Sequence, residues 1–194
     1  MTNDQPVPQE AGLKKDIRQK LLKVRKNIPK ELRVSKNKKI IERLDKLNVF
    51  RNAQHILFYY SFNNEVDTIN LISKYLDEKK LYLPLITSAT KFKAVPIQNL
   101  LDLKTGSSGA LEPIDTGDVY EDKIELVITP GVSFDVSGNR IGMGKGYYDR
   151  YFEHNSSSVK IALAYEEQIL DSIPKDPYDV PVDIIVTDQK IYQL

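Results

Sequence analysis

The stretch Ile124-Glu-Leu-Val-Ile-Thr-Pro-Gly-Val-Ser-Phe-Asp-Val-Ser-Gly-Asn-Arg-Ile-Gly-Met-Gly-Lys-Gly-Tyr-Tyr-Asp-Arg-Tyr-Phe152 decides how this chain folds. Ile124 to Ile128 is a mainly apolar run rich in β-branched residues that reads as a core strand, and Tyr147 to Phe152 is compatible with a helix. Between them lie Gly131, Gly138, Gly142, Gly144 and Gly146, five of the chain's nine glycines. Glycine permits positive φ and close approach of backbone to a ligand. Three glycines at every second position, between a strand and a helix, make a loop whose N–H groups can converge on an anion. The helix N-terminus adds partial positive charge at the same place. Lys145 lies inside the run and Arg140 just before it. The stretch therefore reads as a phosphate-binding loop, with a glycine-rich structural turn as the alternative.

The loop departs from the two commonest nucleotide motifs. A Walker A motif needs Ser or Thr after Gly-Lys, and here Gly146 follows Lys145. The spacing Gly142, Gly144, Gly146 is G-x-G-x-G, not the G-x-G-x-x-G of dinucleotide folds. A standard NTPase or dehydrogenase is not supported. Asp149 lies close behind; a carboxylate beside bound phosphates is placed to hold Mg²⁺, a hard cation with oxygen preference. The plain alternative is a helix-N-terminal charge favoured by the dipole.

Outward from the loop, the chain alternates helices and strands. Leu13, Ile17, Leu21, Val24 and Ile28 recur at helical spacing, so residues 13–28 form an amphipathic helix closed near Pro29. A second helix runs to about Leu47 on Leu32, Ile40, Leu44 and Leu47. Strands are expected at 55–60, 81–86, 91–95, 124–128, 159–164 and 184–187; Pro84 suggests an edge or irregularity in the second. Asp67 or Thr68 can cap a helix whose core face is Ile69, Ile72, Tyr75 and Leu76. Residues 99–122 read as loops and short turns. The pattern predicts a single-domain, Rossmann-like α/β sandwich of three layers with a mostly parallel central sheet. Residues 1–12 read as a disordered lead and 13–194 as the domain. In such folds ligands bind beyond the carboxyl ends of strands, where the glycine loop lies.

Composition narrows the class. The 194 residues are 41% hydrophobic and 28% charged, ordinary for a soluble globular protein. Cysteine is absent, which excludes disulfides, thiolate zinc sites and a cysteine nucleophile. No apolar run approaches membrane-spanning length, so the expectation is a cytoplasmic protein without a membrane partner. Between Lys14 and Lys46 fourteen Lys/Arg face four Asp/Glu. Most of these read as a solvated helix face. A nucleic-acid protein would need aromatic stacking residues or a docking motif near this charge, and none is present. His55 and His154 read as structural.

The residues Pro130 to Arg150 resemble the signature of the 5-formyltetrahydrofolate cyclo-ligase (methenyltetrahydrofolate synthetase) family. Lys14-Lys-Asp-Ile-Arg18 is similar to the family's Lys-x-x-x-Arg element, which contacts ATP phosphates. Tyr60-Ser-Phe-Asn-Asn-Glu-Val-Asp-Thr68 is similar to the segment carrying a folate-binding glutamate, here Glu65. Gly109-Ala-Leu-Glu-Pro113, Ala164-Tyr-Glu-Glu-Gln168 and Asp179-Val-Pro-Val-Asp183 are similar to further family blocks, so the resemblance covers residues 14 to 188 in order. Two positions depart: Met143 stands where the family often has Arg, and Tyr178 where it often has His, so no catalytic role is given to Tyr178.

The resemblance implies ATP- and Mg²⁺-dependent conversion of 5-formyltetrahydrofolate to 5,10-methenyltetrahydrofolate, with release of ADP and phosphate. It implies a catalytic set of Lys145, Arg140 and Tyr147. It implies ATP contacts from Lys14, Lys15, Asp16, Ile17 and Arg18, and from Arg140, Ile141, Gly142, Met143, Gly144, Lys145, Gly146, Tyr147 and Tyr148. Folate would meet Tyr60, Glu65, Met143, Gly144, Lys145, Gly146 and Tyr147, with Phe62 as an apolar wall, and Mg²⁺ would be held by Asp149 and Asp179, with Asp183 as a substitute. Partners are the reduced folate and ATP, acting on a monomer. Lys14 and Arg18 stand one helical turn apart, so both can reach one anion. Another small-molecule kinase or ATP-dependent ligase on the same scaffold is the alternative activity.

Overall fold

The two faces of the core strands carry different partners, and this sets the architecture. In the computed structural model, which describes residues 8–106, 109–115, 117 and 124–194, the elements in order are α1 (Pro8–Asn27), α2 (Lys30–Leu44), α3 (Asn48–Asn52), β1 (His55–Leu57), α4 (Ile69–Tyr75), β2 (Lys80–Ile86), β3 (Phe92–Ile97), β4 (Leu103–Thr105), β5 (Leu111–Pro113), β6 (Leu126–Thr129), β7 (Ser133–Asp135), β8 (Arg140–Ile141), α5 (Tyr147–His154), β9 (Val159–Leu163), β10 (Ile169–Leu170), β11 (Ile184–Val186) and β12 (Ile191–Gln193). Successive strand residues point to opposite faces. Ile56, Leu126 and Ile128 accordingly join one buried cluster with Ile40, Leu44, Phe50 and Ile72 of α2, α3 and α4. Leu57 and Val127 join another with Tyr151 and Phe152 of α5. The result is the expected three-layer α/β sandwich.

The main sheet has the order β12-β11-β9-β6-β1-β2-β3. The five central strands are parallel neighbours, and β12 and β3 add antiparallel edges. β12, absent from the sequence-based expectation, is three residues of mixed exposure whose pattern is too short to read. β2 is an interior strand despite Pro84. Its pairing with β1 ends at Tyr82, so the missing proline N–H falls beyond the last β1 partner.

Helix boundaries shift for local reasons. α1 starts at Pro8, inside the expected lead; residues 1–7 lie outside the described ones. α2 stops at Leu44, and a separate short α3 buries Phe50. At α4 the Asp67 Oδ1 accepts from the Ile69 and Asn70 N–H groups at 2.9 and 3.3 Å, whereas the Thr68 hydroxyl turns inward and donates to the Tyr59 carbonyl at 2.6 Å. Asp67 is thus the capping side chain. The 99–122 stretch holds a β4–β5 hairpin where loops were expected, and part of that stretch lies outside the described residues.

The stretch between β6 and α5 is the largest revision. Its first half is itself a hairpin: β7 pairs antiparallel with β8 and parallel with β10. Asp135 closes the turn, its Oδ1 accepting from the Ser137 and Asn139 N–H groups at 2.9 and 3.0 Å. Only Gly142 to Gly146 remains as open loop. Gly131 has a packing role, because a Cβ there would lie 2.3 Å from the fully buried Phe134 ring. Gly131→Ala is therefore expected to destabilise the protein by about 1–3 kcal/mol through overpacking. Thermal unfolding should show a fall in Tm of several degrees.

Candidate active site

The open loop faces the first helix. Gly144 and Gly146 have φ of +97° and +64°, conformations that side chains with a Cβ rarely adopt, and Gly146 is the N-cap of α5. Arg18 Nε donates to the Gly142 carbonyl at 2.7 Å. A Cβ on Gly144 would stand 3.4 Å from Arg18 Nη2, so the guanidinium rests directly against the loop. Lys145 is exposed at the crest, its Nζ 5.8 Å from the centre of the Tyr147 ring. The Tyr147 hydroxyl donates to the Ser88 carbonyl at 3.4 Å. Lys14, one turn before Arg18, is paired with Asp176 at 2.6 Å and also with Asp179. Asp179 Oδ2 also accepts the Asp176 N–H at 2.7 Å, so residues 176–179 form a tight acidic turn beside α1. Burial lowers the Lys14 pKa, but the hydrogen bonds and charges of Asp176 and Asp179 outweigh it and raise the pKa overall. The lysine is fully charged at neutral pH.

The five consecutive residues 14–18 do not act alike. Lys14, Ile17 and Arg18 lie on the half-buried side, whereas Lys15 and Asp16 are exposed on the other. Met143 is 60% exposed and Tyr178 69% exposed. His55 bonds the Tyr82 hydroxyl through Nδ1 at 2.8 Å, a structural contact.

Arg140, expected on phosphate, turns inward. Its side chain is 5% exposed, with Nη2 2.7 Å from Asp149 Oδ1 and the guanidinium carbon 5.8 Å from the Phe152 ring centre. The same Asp149 oxygen accepts the Val180 N–H at 3.1 Å. Arg140 thus fixes Asp149 and the 179–180 segment against α5. The two aspartates named for Mg²⁺ are each engaged by a cation, Asp149 by Arg140 and Asp179 by Lys14. Asp183 is occupied elsewhere, taking the Lys160 N–H at 2.7 Å and its ammonium at 3.1 Å. No cluster of three or more His, Cys, Asp or Glu occurs among the described residues. A nucleotide-bound Mg²⁺ uses one or two carboxylates plus phosphate oxygens, so Asp149 and Asp179 suffice in kind and number.

Glu65 lies on the turn after β1. Asn63 and Asn64 there have φ of +50° and +63°, a left-handed pair that Asn tolerates better than most residues. Glu65 Oε2 accepts the Phe62 N–H at 3.2 Å and Oε1 lies 3.7 Å from Arg25 Nη1. Burial pushes the Glu65 carboxyl above the usual carboxylate range; the Arg25 charge and the Phe62 N–H oppose that rise. Tyr60 and Phe62 are half-buried on the same segment. Tyr148, grouped with the ATP contacts in sequence, packs against Phe92 and Phe152 at centroid distances of 5.1 and 6.1 Å. Its buried hydroxyl has no hydrogen-bond partner among the described residues, and burial drives its pKa far upward, with the Glu65 charge adding to that rise. Sequence reading missed Asp176 and Arg25. Arg25 was legible in principle, standing two turns beyond Arg18 on the same helix face.

The fold and site define a doubly covered α/β protein with a glycine loop held by Arg18 of the first helix. The chain matches the model of the 5-formyltetrahydrofolate cyclo-ligase family over residues 10–188, and it belongs to that family. Among similar proteins, the 5-formyltetrahydrofolate cyclo-ligase of Haemophilus influenzae is 32% identical, covering 89% of this chain and 97% of that protein. That of Mus musculus is 28% identical over 90% of this chain and 91% of its own. The NMR structure of Aquifex aeolicus 5,10-methenyltetrahydrofolate synthetase superposes with a TM-score of 0.85 at 32% identity, covering 93% of this chain and 92% of that one. The chain is thus an enzyme, a ligase acting on folate in one-carbon metabolism, and its family implies ATP use. No helix among the described residues is long and apolar enough to cross a membrane.

Proposed function

We propose that this enzyme closes 5-formyltetrahydrofolate to 5,10-methenyltetrahydrofolate at the junction of α1 and the 142–146 loop, with MgATP as co-substrate. The observation that carries the reading is that one helix sets Arg18 against the glycine loop, Lys14 on the 176–179 turn and Arg25 beside Glu65. Phosphate oxygens meet the N–H groups of Gly142 to Gly146, the Lys145 ammonium and the α5 N-terminus. The γ-phosphoryl group passes to the formyl oxygen, which is otherwise a poor leaving group. N10 attacks the activated formyl carbon and gives up its proton to solvent, and phosphate departs with that oxygen as the ring closes. Little covalent work falls to side chains, so positioning and charge stabilisation dominate.

Glu65 accepts the pterin N–H groups, with Tyr60, Phe62 and Tyr147 as flat apolar contacts. Asp149 and Asp179 would hold Mg²⁺, whose chemistry there is to neutralise phosphate charge. Arg140, because it is buried on Asp149, acts by positioning that carboxylate. Lys14 shares its charge between the 176–179 turn and an incoming phosphate.

Incubating the protein with 5-formyltetrahydrofolate and MgATP should raise the absorbance of the methenyl product, with none when ATP is omitted. Phosphorylation of another small molecule without any methenyl product would overturn the proposal in favour of a kinase.

A further inference from the structure

Arg25 is 3% exposed, deeper than Lys14 or Arg18 on the same helix. Its Nη1 reaches the Gly131 carbonyl at 3.5 Å and Glu65 Oε1 at 3.7 Å. Gly131 itself is held by Gln168 Nε2, which donates to the same carbonyl at 3.3 Å. Arg25, Tyr59, Glu65, Pro130, Gly131 and Gln168 line one recess between α1 and the carboxyl ends of β1 and β6. Burying an arginine and a glutamate together is a weak source of stability, since apolar residues of similar volume do as well or better. The pair therefore calls for another reason. The chain between Arg18 and Arg25 is two helical turns, about 10 Å along the axis, so one rigid element spans from the phosphate loop to the carboxylate.

We propose that Arg25 is a positioning residue for folate binding: it holds the Glu65 carboxylate in place and balances its charge, from the same helix whose Arg18 holds the 142–146 loop. The proposal rests on the reading of Glu65 as the pterin-binding group. The titratable and polar groups that face Glu65 come from several elements. Arg25 comes from α1, the Phe62 N–H from its own turn, Tyr59 from the segment after β1 and Tyr148 from α5. Tyr165, after β9, donates its hydroxyl to the Glu65 carbonyl at 3.3 Å. The three phenols stay neutral near pH 7, because burial pushes Tyr59 and Tyr148 far up and Tyr165 up to about 12. Glu65 is then the carboxyl of this set, and burial raises its pKa above the usual carboxylate range. Burial favours its protonated form and Arg25 the charged one, so loss of Arg25 moves its titration to higher pH.

The test compares Arg25→Gln, Arg25→Lys, Glu65→Gln and the Arg25→Gln/Glu65→Gln double variant in steady-state kinetics, each substrate varied in turn across the neutral pH range. Arg25→Gln should raise KM for 5-formyltetrahydrofolate by about tenfold or more, the scale of losing a supporting partner behind a ligand contact. KM for ATP should hold, and the acid limb of kcat/KM for folate should move to higher pH. Arg25→Lys should restore that limb while recovering only part of the folate KM, because it keeps the charge and loses the fork. In the Glu65→Gln background, Arg25→Gln should add little. A parallel rise in both KM values with an unmoved pH profile, or full additivity, overturns the proposal. So does a normal Arg25→Gln beside an impaired Glu65→Gln, which leaves the reading of Glu65 standing. A Glu65→Gln enzyme with wild-type folate kinetics overturns both. Should Arg25→Gln fail to fold, Arg25→Lys decides alone: a rise in folate KM with ATP KM fixed supports the proposal, and equal changes overturn it.

Discussion

Lys145→Ala is expected to lose roughly a hundredfold or more in kcat/KM for ATP, the scale of removing one preorganised charge-stabilising group from a transition state. The side chain is exposed at the crest of the loop, its ammonium making no hydrogen bond or ion pair among the described residues and lying 5.8 Å from the centre of the Tyr147 ring. Surface substitutions of this kind typically change stability by less than about 0.5 kcal/mol. The variant should therefore unfold at the wild-type temperature while calorimetric titration shows weakened MgATP binding. The loop backbone should be unaltered, because Arg18 holds the Gly142 carbonyl and Arg150 Nη1 holds the Lys145 carbonyl at 2.6 Å. Full activity in this variant would contradict the assignment of the loop to phosphate.

Glu65→Gln carries the second large effect. The substitution keeps volume and one carbonyl acceptor, and removes the charge that pairs with pterin N–H donors. A site built to satisfy such donors loses heavily when one partner fails, so kcat/KM for the folate should fall by about a hundredfold or more. ATP binding should stay the same. Stability should not fall at neutral pH, and the sign follows from the direction of the shift. The folded state raises the Glu65 pKa through burial, so folding favours the protonated carboxyl and the ionised form weakens the fold as pH rises. The neutral amide removes that penalty, although it leaves Arg25 without its charge partner. A large drop in Tm together with unchanged folate kinetics would show that Glu65 is a structural residue.

The sequence disclosed the fold because its core strands are apolar along their length and its helices keep their period. Leu126 to Ile128 is the clearest case: Leu126 and Ile128 feed one cluster and Val127 the opposite one, so neither face can be polar. What escaped was set by pairing that no local pattern records. β7 and β8 hide inside a glycine-rich stretch because their register is fixed by Asp135 and by a distant partner, β10. β12 and the β4–β5 hairpin are three-residue strands, too short for alternation to show.

The site was legible by type more than by contact. Arg18 and the glycines do meet, Lys14 instead engages Asp176 and Asp179, and Glu65 is drawn to Arg25. Arg140 reads as a phosphate ligand from its place before the loop, yet the β8 strand turns it inward onto Asp149 and Phe152. Strand direction is a pairing property, and Arg140 cannot report it alone. The basic run from Lys14 to Lys46 likewise conceals Arg25 among solvated lysines, since burial depends on what α1 packs against.

The most direct test of the reaction follows the formyl oxygen. 5-Formyltetrahydrofolate carrying heavy oxygen in its formyl group is turned over with unlabelled ATP, and the released phosphate is examined by mass spectrometry. If the enzyme phosphorylates the formyl oxygen, each phosphate released with a methenyl product carries one heavy oxygen. Methenyl product accompanied by unlabelled phosphate, with the heavy oxygen recovered in water, would contradict the account.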